Sequence, residues 1–263
     1  MNEKTLDIFS SLAEKIISRN NIRCIFELGA RDCRETLAFH EWFPQAEIYT
    51  FECNPDTLPV CREKTAGIEK IHLVEKAVSD KDGILTFYKI DRENTQTTFS
   101  DGNPGASSLL QANPEYPVEH YIQKPIEVQT TTLKTFFAEN NIENVDMLWM
   151  DIQGAELLAL DGAGADLSKI KMIHAEVEFF EMYKGQPLYR EVVRYMNERG
   201  FRLLRFTNFG KYFGDAIFIN KTIKTGFIWP ERLVYFFNLV GEKISGKWRG
   251  AKLKLEKYAA ARR

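Results

Sequence analysis

The sequence predicts one α/β domain, built on a mostly parallel β-sheet with helices on both faces. Short apolar runs alternate with helical patterns along residues 1–220, which is the order that a parallel sheet requires. Three apolar runs end in a glycine or an acid, where a parallel strand turns toward a helix. With 263 residues, 44% of them hydrophobic and 27% charged, the chain can bury a large core without disulfides, so the composition excludes a disordered or collagen-like protein.

The elements of the first half follow in a regular order. Residues 1–20 form an amphipathic pattern typical of a helix and not of a signal peptide. Asn54-Pro55 opens a later helix, after which the strand 70–78 leads into the turn Asp80 to Gly83, and this turn chemistry predicts a hairpin with residues 84–90. Between the first helix and Asn54, the sequence predicts a strand at 22–28, a helix at 35–43 and a strand at 47–52.

Residues 91–125 are rich in Asn, Thr, Ser, Gly and Pro and lack periodicity, so we expect a long functional loop, acting as a lid. Elements with clear patterns then resume. The predicted strands are 126–133, 145–151 and 169–179, the predicted helices are 133–141, 154–163 and 188–200, and 201–206 with 212–219 form a closing hairpin.

Residues 221–263 differ from the rest of the chain and are predicted to form a basic amphipathic helical extension. They hold 11 Lys plus Arg and 3 Asp plus Glu, whereas residues 1–220 hold 24 and 34, so the net charges are +8 and −10. Apolar residues recur every three or four positions from Phe237 to Tyr258. Two interpretations stay open: a terminal helix packed on the domain, or a helix that contacts a membrane surface or an anionic partner.

Four cysteines, at positions 24, 33, 53 and 61, fit no zinc-binding spacing, and no apolar run reaches 18 residues. We therefore expect a cytoplasmic protein with reduced thiols. The overall charge of −2 argues against nucleic acid as a partner.

Three strand ends carry candidate ligand-binding residues, because ligands of parallel sheets sit at the carboxyl ends of the strands. The first is Glu27 to Arg31, where Gly29 permits a tight turn and close approach of a ligand to the backbone, flanked by Ala30. Glu52, beside Cys53, follows Gly29 at the spacing expected for a carboxylate that binds ribose hydroxyls. The third, around Ala77, suits an adenine ring. A simple turn followed by an exposed acid is the alternative interpretation of the first two.

Several motifs in series make the pattern specific. The segment VDMLWMDIQGAELLALDGA, at 145–163, resembles the signature of the FkbM-type methyltransferases. Asp151, Gly154, Ala155 and Glu156 match this signature, and Gln153 replaces its usual acid. The segments FECNPD, AVSDKDGILTFY, GASSLL, TTTLKTFF and HAEVE are similar to other motifs of the family, so the resemblance extends over residues 22–219.

This resemblance implies a class I methyltransferase fold in residues 1–220, with a seven-stranded Rossmann-like sheet whose last strand is antiparallel. It also implies S-adenosyl-L-methionine (SAM) as cofactor, and methyl transfer most often to oxygen, on sugars, polyketides or lipid-linked glycans. The glycine-rich loop of the family is altered here. Arg31 stands in place of Asn, and Cys33 stands in place of a glycine, where its side chain is expected to crowd the cofactor.

The catalytic candidates lie at two further strand ends. Asp151 ends the strand beside the expected sulfonium, so it is the first candidate for a general base, as well as a cofactor contact. His174 and Glu176 are the next candidates, and their spacing of two places them on one side of a strand. Capping of a helix by Asp151 and simple burial of His174 are the alternatives. These three residues do not form a convincing metal site, so no metal is predicted.

Ser107 and Ser108 of the loop, together with Gln153, are the predicted substrate-binding residues. The expected activity is therefore O-methylation of a small-molecule or glycan acceptor, and a homo-oligomer stays open. Two other functions also stay open. One is a non-catalytic binding module with this fold. The other is a nucleotide-dependent oxidoreductase, which the lack of further glycines and the acids Asp32 and Glu35 disfavour.

Overall fold

The computed structural model describes residues 3–224, which form two β-sheets and six α-helices. The strands are β1 (Cys24–Leu28), β2 (Glu47–Phe51), β3 (Ile71–Val74), β4 (Ala77–Val78), β5 (Gly83–Ile90), β6 (Gln123–Thr131), β7 (Val145–Met150), β8 (Ile170–Glu178), β9 (Phe201–Phe209) and β10 (Phe213–Asn220). The α-helices are α1 (Glu3–Ile17), α2 (Arg34–Trp42), α3 (Leu58–Thr65), α4 (Leu133–Glu139), α5 (Glu156–Asp161) and α6 (Tyr189–Glu198).

The main sheet has seven strands in the order β3-β2-β1-β7-β8-β10-β9. The first five are parallel to their neighbours, and β10 runs antiparallel to both β8 and β9. This topology confirms the predicted class I methyltransferase fold, including the antiparallel last strand. The chain order reverses between β1 and β7, and ligands of open α/β sheets bind at such a switch point.

The two faces of the sheet carry separate apolar cores. On one face, α1 and α2 bury Phe9, Phe39 and Phe43 against the sheet. On the other face, α4, α5 and α6 contribute residues such as Phe137 and Leu160. Because both faces are covered, the central strands are mostly apolar, and all six residues of β7 are buried, including Asp146.

The predicted hairpin between 70–78 and 84–90 is wrong. The first segment divides into β3, which belongs to the main sheet, and β4, which belongs to a second sheet of order β4-β6-β5. Strand β6 lies between the two predicted partners, parallel to β4 and antiparallel to β5. The Asp82 carboxylate of the turn accepts hydrogen bonds from the Thr132 N–H and the Thr135 hydroxyl, which anchors the turn to the end of β6 and the start of α4.

The loop between β5 and β6 is ordered by contacts with the domain. It contains a short 3₁₀ turn at Pro104–Ala106 and isolated bridges from Ser108 to Tyr88 and from Ala112 to Tyr183. The first bridge joins the loop to β5 of the second sheet, and the second joins it to the segment that follows β8 of the main sheet. The basic extension lies, from residue 225 onward, outside the described residues, so its two interpretations stay predictions. Across residues 3–224, no helix has the length and apolar character needed to span a bilayer.

Candidate active site

A cavity of about 530 Å³ lies at the carboxyl ends of β1, β2, β7 and β8, and the β5–β6 loop forms its outer wall. The main sheet contributes residues at or just beyond the ends of these strands. The loop contributes Thr98, Phe99, residues 103–107, Leu109, Tyr116, Val118, Glu119 and Tyr121. The lining includes Gly29, Arg31, Glu52, Cys53, Ala77, Phe99, Ser107, Tyr116, Glu119, Tyr121, Asp151, Gln153, Glu176 and Asp215.

Gly29 joins three strand ends. Its N–H and that of Ala30 both donate to the Phe51 carbonyl, at 3.0 Å. Its φ is +89°, and a Cβ atom at this position would lie 2.1 Å from the carbonyl oxygen of Asp151. The close approach predicted for a ligand is therefore made by the protein's own backbone at the end of β7.

The turn after Gly29 places its two unusual residues differently. Cys33 is fully buried against Ala30 and Cys61, and it is not among the residues that line the cavity. Its expected crowding of the cofactor is thus absent from this arrangement. Arg31 does line the cavity, where its guanidinium donates to Asp101 of the loop at 3.1 Å and lies 5.6 Å from the centre of the Phe99 ring.

Glu52 is held by three backbone donors at the end of β2. The N–H groups of Arg31, Cys53 and Asn54 donate to its carboxylate at 2.7–2.8 Å. Burial raises the pKa of Glu52, and the three hydrogen bonds oppose that rise. Beside it, Cys53 and Ala77 belong to a small apolar cluster with Phe87. This end of the cavity therefore combines a fixed carboxylate with an apolar wall.

The opposite end holds two carboxylates joined by an amide. The side-chain N–H₂ of Gln153 donates to Asp151 Oδ1 at 2.6 Å and to Glu176 Oε2 at 3.3 Å. Burial is the main cause that raises the pKa of Asp151, and the hydrogen bond from Gln153 opposes it. Burial, and then the charge of Asp151, raise the pKa of Glu176 well above its usual value. The pair therefore holds a proton to a higher pH than ordinary carboxyl groups do.

Asp215 is a cavity residue that was not predicted from the sequence. It lies on β10 directly opposite Glu176, and its Oδ2 accepts a hydrogen bond from Thr5 of α1 at 3.2 Å. Burial acts to raise the pKa of Asp215, but His174 and Thr5 outweigh it, so the pKa is lowered. A single acid within the apolar run of β10 was the available signal.

His174 lies deeper than predicted. It does share a face of β8 with Glu176, but it is fully buried, stacked on Trp149 with 3.6 Å between ring centroids, and does not line the cavity. Its Nε2 lies 3.3 Å from Asp215 Oδ1. The structure thus places this histidine behind Asp215.

Glu27 also lies outside the cavity. Its buried carboxylate accepts hydrogen bonds from the hydroxyls of Thr36 and Thr50, so it connects α2 with β1 and β2. Burial raises its pKa well above the usual value, with Glu35 as a further cause. In this arrangement Glu27 supports the turn that carries Gly29.

The two predicted substrate serines hold the loop. The Ser107 hydroxyl donates to the Pro104 carbonyl at 2.7 Å and accepts from the Ile90 N–H at 3.0 Å. The Ser108 hydroxyl donates to the Gln153 carbonyl at 2.8 Å and is absent from the cavity lining. Ser107 alone reaches the cavity, and both hydroxyls are committed to bonds within the protein.

Aromatic residues complete the wall near Glu176. Tyr121 lies between Tyr116 and Tyr183, with ring centroids 6.0 and 6.2 Å away. The Tyr121 hydroxyl donates to Glu119, which also lines the cavity.

Comparisons with known proteins agree with this geometry. The model of the methyltransferase FkbM domain matches residues 27–203, which is more than half of the chain. The 2-O-methyltransferase NoeI of Sinorhizobium fredii (strain NBRC 101917 / NGR234) is 28% identical over 177 residues, covering 64% of this chain and 69% of NoeI.

Solved methyltransferase structures are more distant. Sp1610 of Streptococcus pneumoniae, in complex with SAM, has a TM-score of 0.49 at 12% identity, covering 97% of this chain and 90% of that one. Magnesium protoporphyrin IX methyltransferase of Synechocystis PCC 6803, with bound SAM, has a TM-score of 0.43 at 9% identity, covering 83% and 80%. The extent of the family match carries the conclusion: the chain belongs to the FkbM methyltransferase family and is a SAM-dependent methyltransferase.

Proposed function

We propose that the protein methylates a hydroxyl oxygen of a small-molecule or glycan acceptor, with Asp151 as the general base. The observation that carries this proposal is the pair of half-buried carboxylates, Asp151 and Glu176, bridged by Gln153 at one end of the cavity. A hydroxyl must lose its proton during methyl transfer, and a carboxylate with a raised pKa can accept that proton near neutral pH. The name of the relative NoeI, a 2-O-methyltransferase, supports oxygen as the acceptor atom.

The charges of the cavity fit the cofactor. Among the described lining residues, the carboxylates outnumber the basic side chains Arg31 and Lys76, and Arg31 is paired with Asp101. Such a lining suits a sulfonium cation and disfavours a diphosphate. When bound, SAM supplies an already activated methyl group.

Each end of the cavity then has a separate task. We assign the ribose hydroxyls to Glu52 and the adenine to the apolar wall of Cys53 and Ala77. Gly29, Ala30 and Arg31 form the turn beside the methionine part, and the carbonyl of Asp151 closes it. Glu27 supports this turn from beneath.

The acceptor is assigned to the end that holds Asp151 and Glu176. Glu176, with the more strongly raised pKa, keeps the proton of the pair, which leaves Asp151 ionised to accept one. His174 does not line the cavity and acts on the pair by way of Asp215. The lowered pKa of Asp215 keeps this residue ionised. Ser107 and Ser108 shape the wall through their bonds within the protein, and Tyr116 and Tyr121 offer ring faces and hydroxyls to an acceptor.

Asp151→Asn tests this assignment. The variant should lower turnover by about 10²–10⁴-fold, because the base is removed while the side chain keeps its size. The assay uses SAM and a panel of neutral sugars, their oligomers and phenols, with mass spectrometry for the added methyl group. Calorimetry with S-adenosylhomocysteine should show binding close to that of the wild type.

Asp7→Asn is the matched control, since Asp7 is exposed on α1, and it should leave turnover unchanged. Wild-type turnover in Asp151→Asn would refute the role of base. Methylation confined to nitrogen in a panel extended with amines would refute the oxygen acceptor.

A further inference from the structure

We propose that Gln153 is a positioning residue that holds Asp151 and Glu176 as one acid–base pair, and that Tyr183 sets the orientation of the Gln153 amide. This inference rests on the proposed role of Asp151 as base. It concerns the position at which the family signature has an acid and this chain has a neutral amide.

The hydrogen bonds define which way the amide faces. Two carboxylate oxygens, one from Asp151 and one from Glu176, lie within 3.3 Å of Gln153 Nε2. Only the N–H₂ group can donate to two acceptors at once, because the amide oxygen would be repelled by both. One neutral side chain therefore donates to both acids at once at this end of the cavity.

The backbone of Gln153 is also held in place. Its φ is +55°, a left-handed conformation that few residues other than glycine adopt. Its carbonyl accepts the hydrogen bond from the buried Ser108 hydroxyl. This anchor from the loop gives the side chain a fixed starting point between the ends of β7 and β8.

Tyr183 holds the other side of the amide. Its hydroxyl lies 2.9 Å from Gln153 Oε1 and 2.7 Å from the carbonyl oxygen of Ala106 in the loop. Burial raises the pKa of Tyr183, so the hydroxyl keeps its single proton, which serves these two acceptors in turn. Tyr183 thereby connects the loop wall of the cavity with the amide that bridges the two acids.

A carboxylate at position 153 would change the charge of this cluster. A glutamate in place of the glutamine would add a third acid and remove both N–H donors, so Asp151 would hold its proton to a higher pH. The other titratable groups around the pair are unchanged by this substitution. They are Glu35, Tyr116, Tyr121, Glu156, His174, Glu178, Tyr183 and Asp215.

The test follows the carboxyl ¹³C resonances of Asp151 and Glu176 by NMR during a pH titration, with S-adenosylhomocysteine as the probe ligand. Asp151→Asn and Glu176→Gln assign the two resonances. We expect Gln153→Glu and Gln153→Ala to raise the midpoint of Asp151 by about one pH unit or more. Gln129→Glu, the same change at an exposed site on β6, should leave the midpoint where it is in the wild type.

Tyr183→Phe separates the role of the tyrosine. Alone, it should raise the Asp151 midpoint, because the amide can then turn its oxygen toward the acids for part of the time. The rise should be smaller than in Gln153→Ala, which removes the donor altogether. Added to Gln153→Ala, it should cause no further rise, since its effect passes through the amide. An equal rise in both backgrounds would overturn the part assigned to Tyr183.

An unchanged Asp151 midpoint in Gln153→Ala would overturn the inference as a whole. This measurement needs no acceptor, so its outcome is independent of the assay of Asp151→Asn. If turnover survives in Asp151→Asn while the midpoints move as expected, the proposed base is wrong and the positioning by Gln153 stands. If the midpoints stay unchanged and Asp151→Asn loses turnover, the positioning by Gln153 is wrong and the proposed base stands.

Discussion

Carboxylates occupy both ends of the cavity, but their hydrogen-bond donors differ in kind. Glu52 accepts from three backbone N–H groups, which cannot turn away once the strand ends have formed. Asp151 and Glu176 share one side-chain amide, and the charge of Asp151 helps to raise the pKa of Glu176. The same chemical group is thus a fixed recognition element at one end and a proton-exchanging pair at the other, and the donors decide which.

Gly29 tests how strongly the two ends depend on each other, and it should give the largest effect. Gly29→Ala would place a methyl group 2.1 Å from the Asp151 carbonyl oxygen and impose a φ of +89° on a side-chain-bearing residue. Overlap and strain together should lower the free energy of unfolding by about 2–5 kcal/mol. Urea unfolding measures the loss, and calorimetry with S-adenosylhomocysteine should show weaker binding.

Gly200→Ala provides the matched control for the strain. Gly200 has a φ of +87°, yet nothing lies within 4 Å of its added methyl group. Gly200→Ala should therefore lower the free energy of unfolding only by the cost of the left-handed conformation, about 1–2 kcal/mol. Equal costs at the two positions would show that contact between the ends of β1 and β7 contributes nothing.

Position along the strands predicted much of the site. Gly29, Glu52, Asp151 and Glu176 all follow apolar runs, and parallel strands bring such ends to one edge. Burial was harder to predict, because residues two apart on a strand share a face but can be covered by different elements. His174 packs against Phe9 of α1 and Trp149, whereas Glu176 lines the cavity.

Pairings between distant segments could not be predicted from periodicity. Asp215 reaches the cavity because of the antiparallel register of β10 on β8, which no local pattern encodes. The expected hairpin around Asp82 failed for the same reason: β6, which is distant in sequence, pairs with both neighbouring strands. The bonds of Ser107 and Ser108 likewise depend on where the loop meets the sheet.

Glu156 tests whether the kind of hydrogen-bond donor explains the difference between the two ends. Its carboxylate accepts from a backbone N–H, as that of Glu52 does, but it lies near Asp151. It accepts from the Ile152 N–H, but burial, with Asp151 contributing, raises its pKa to about 7. The folded state then holds a proton that the unfolded state has lost, so stability should fall as pH rises from about 4.5 to 7. Over this pH range, the free energy of unfolding should fall by about 3 kcal/mol at most.

Glu156→Gln should remove that dependence. Urea unfolding at a series of pH values should show a flatter profile than the wild type, with the variant gaining relative stability above pH 7. Glu198→Gln, at an exposed site on α6, is the control and should keep the wild-type slope. An unchanged slope in Glu156→Gln would mean that backbone donors offset the neighbouring acids at this end too.

Glu52 gives the smallest of these effects and the clearest separation between the two ends. Glu52→Gln exchanges a charged acceptor for a neutral one and turns an amide N–H₂ toward backbone donors, so binding of S-adenosylhomocysteine should weaken by about 10–100-fold. The titration midpoint of Asp151 should stay where it is in the wild type, because Glu52 is not among the groups that shift the pKa of Asp151 most. Glu63→Gln, at an exposed site on α3, should alter neither quantity. If Glu52→Gln moved the Asp151 midpoint and left binding intact, the recognition role would belong to the other end of the cavity, because a fixed carboxylate that binds ribose must affect affinity first.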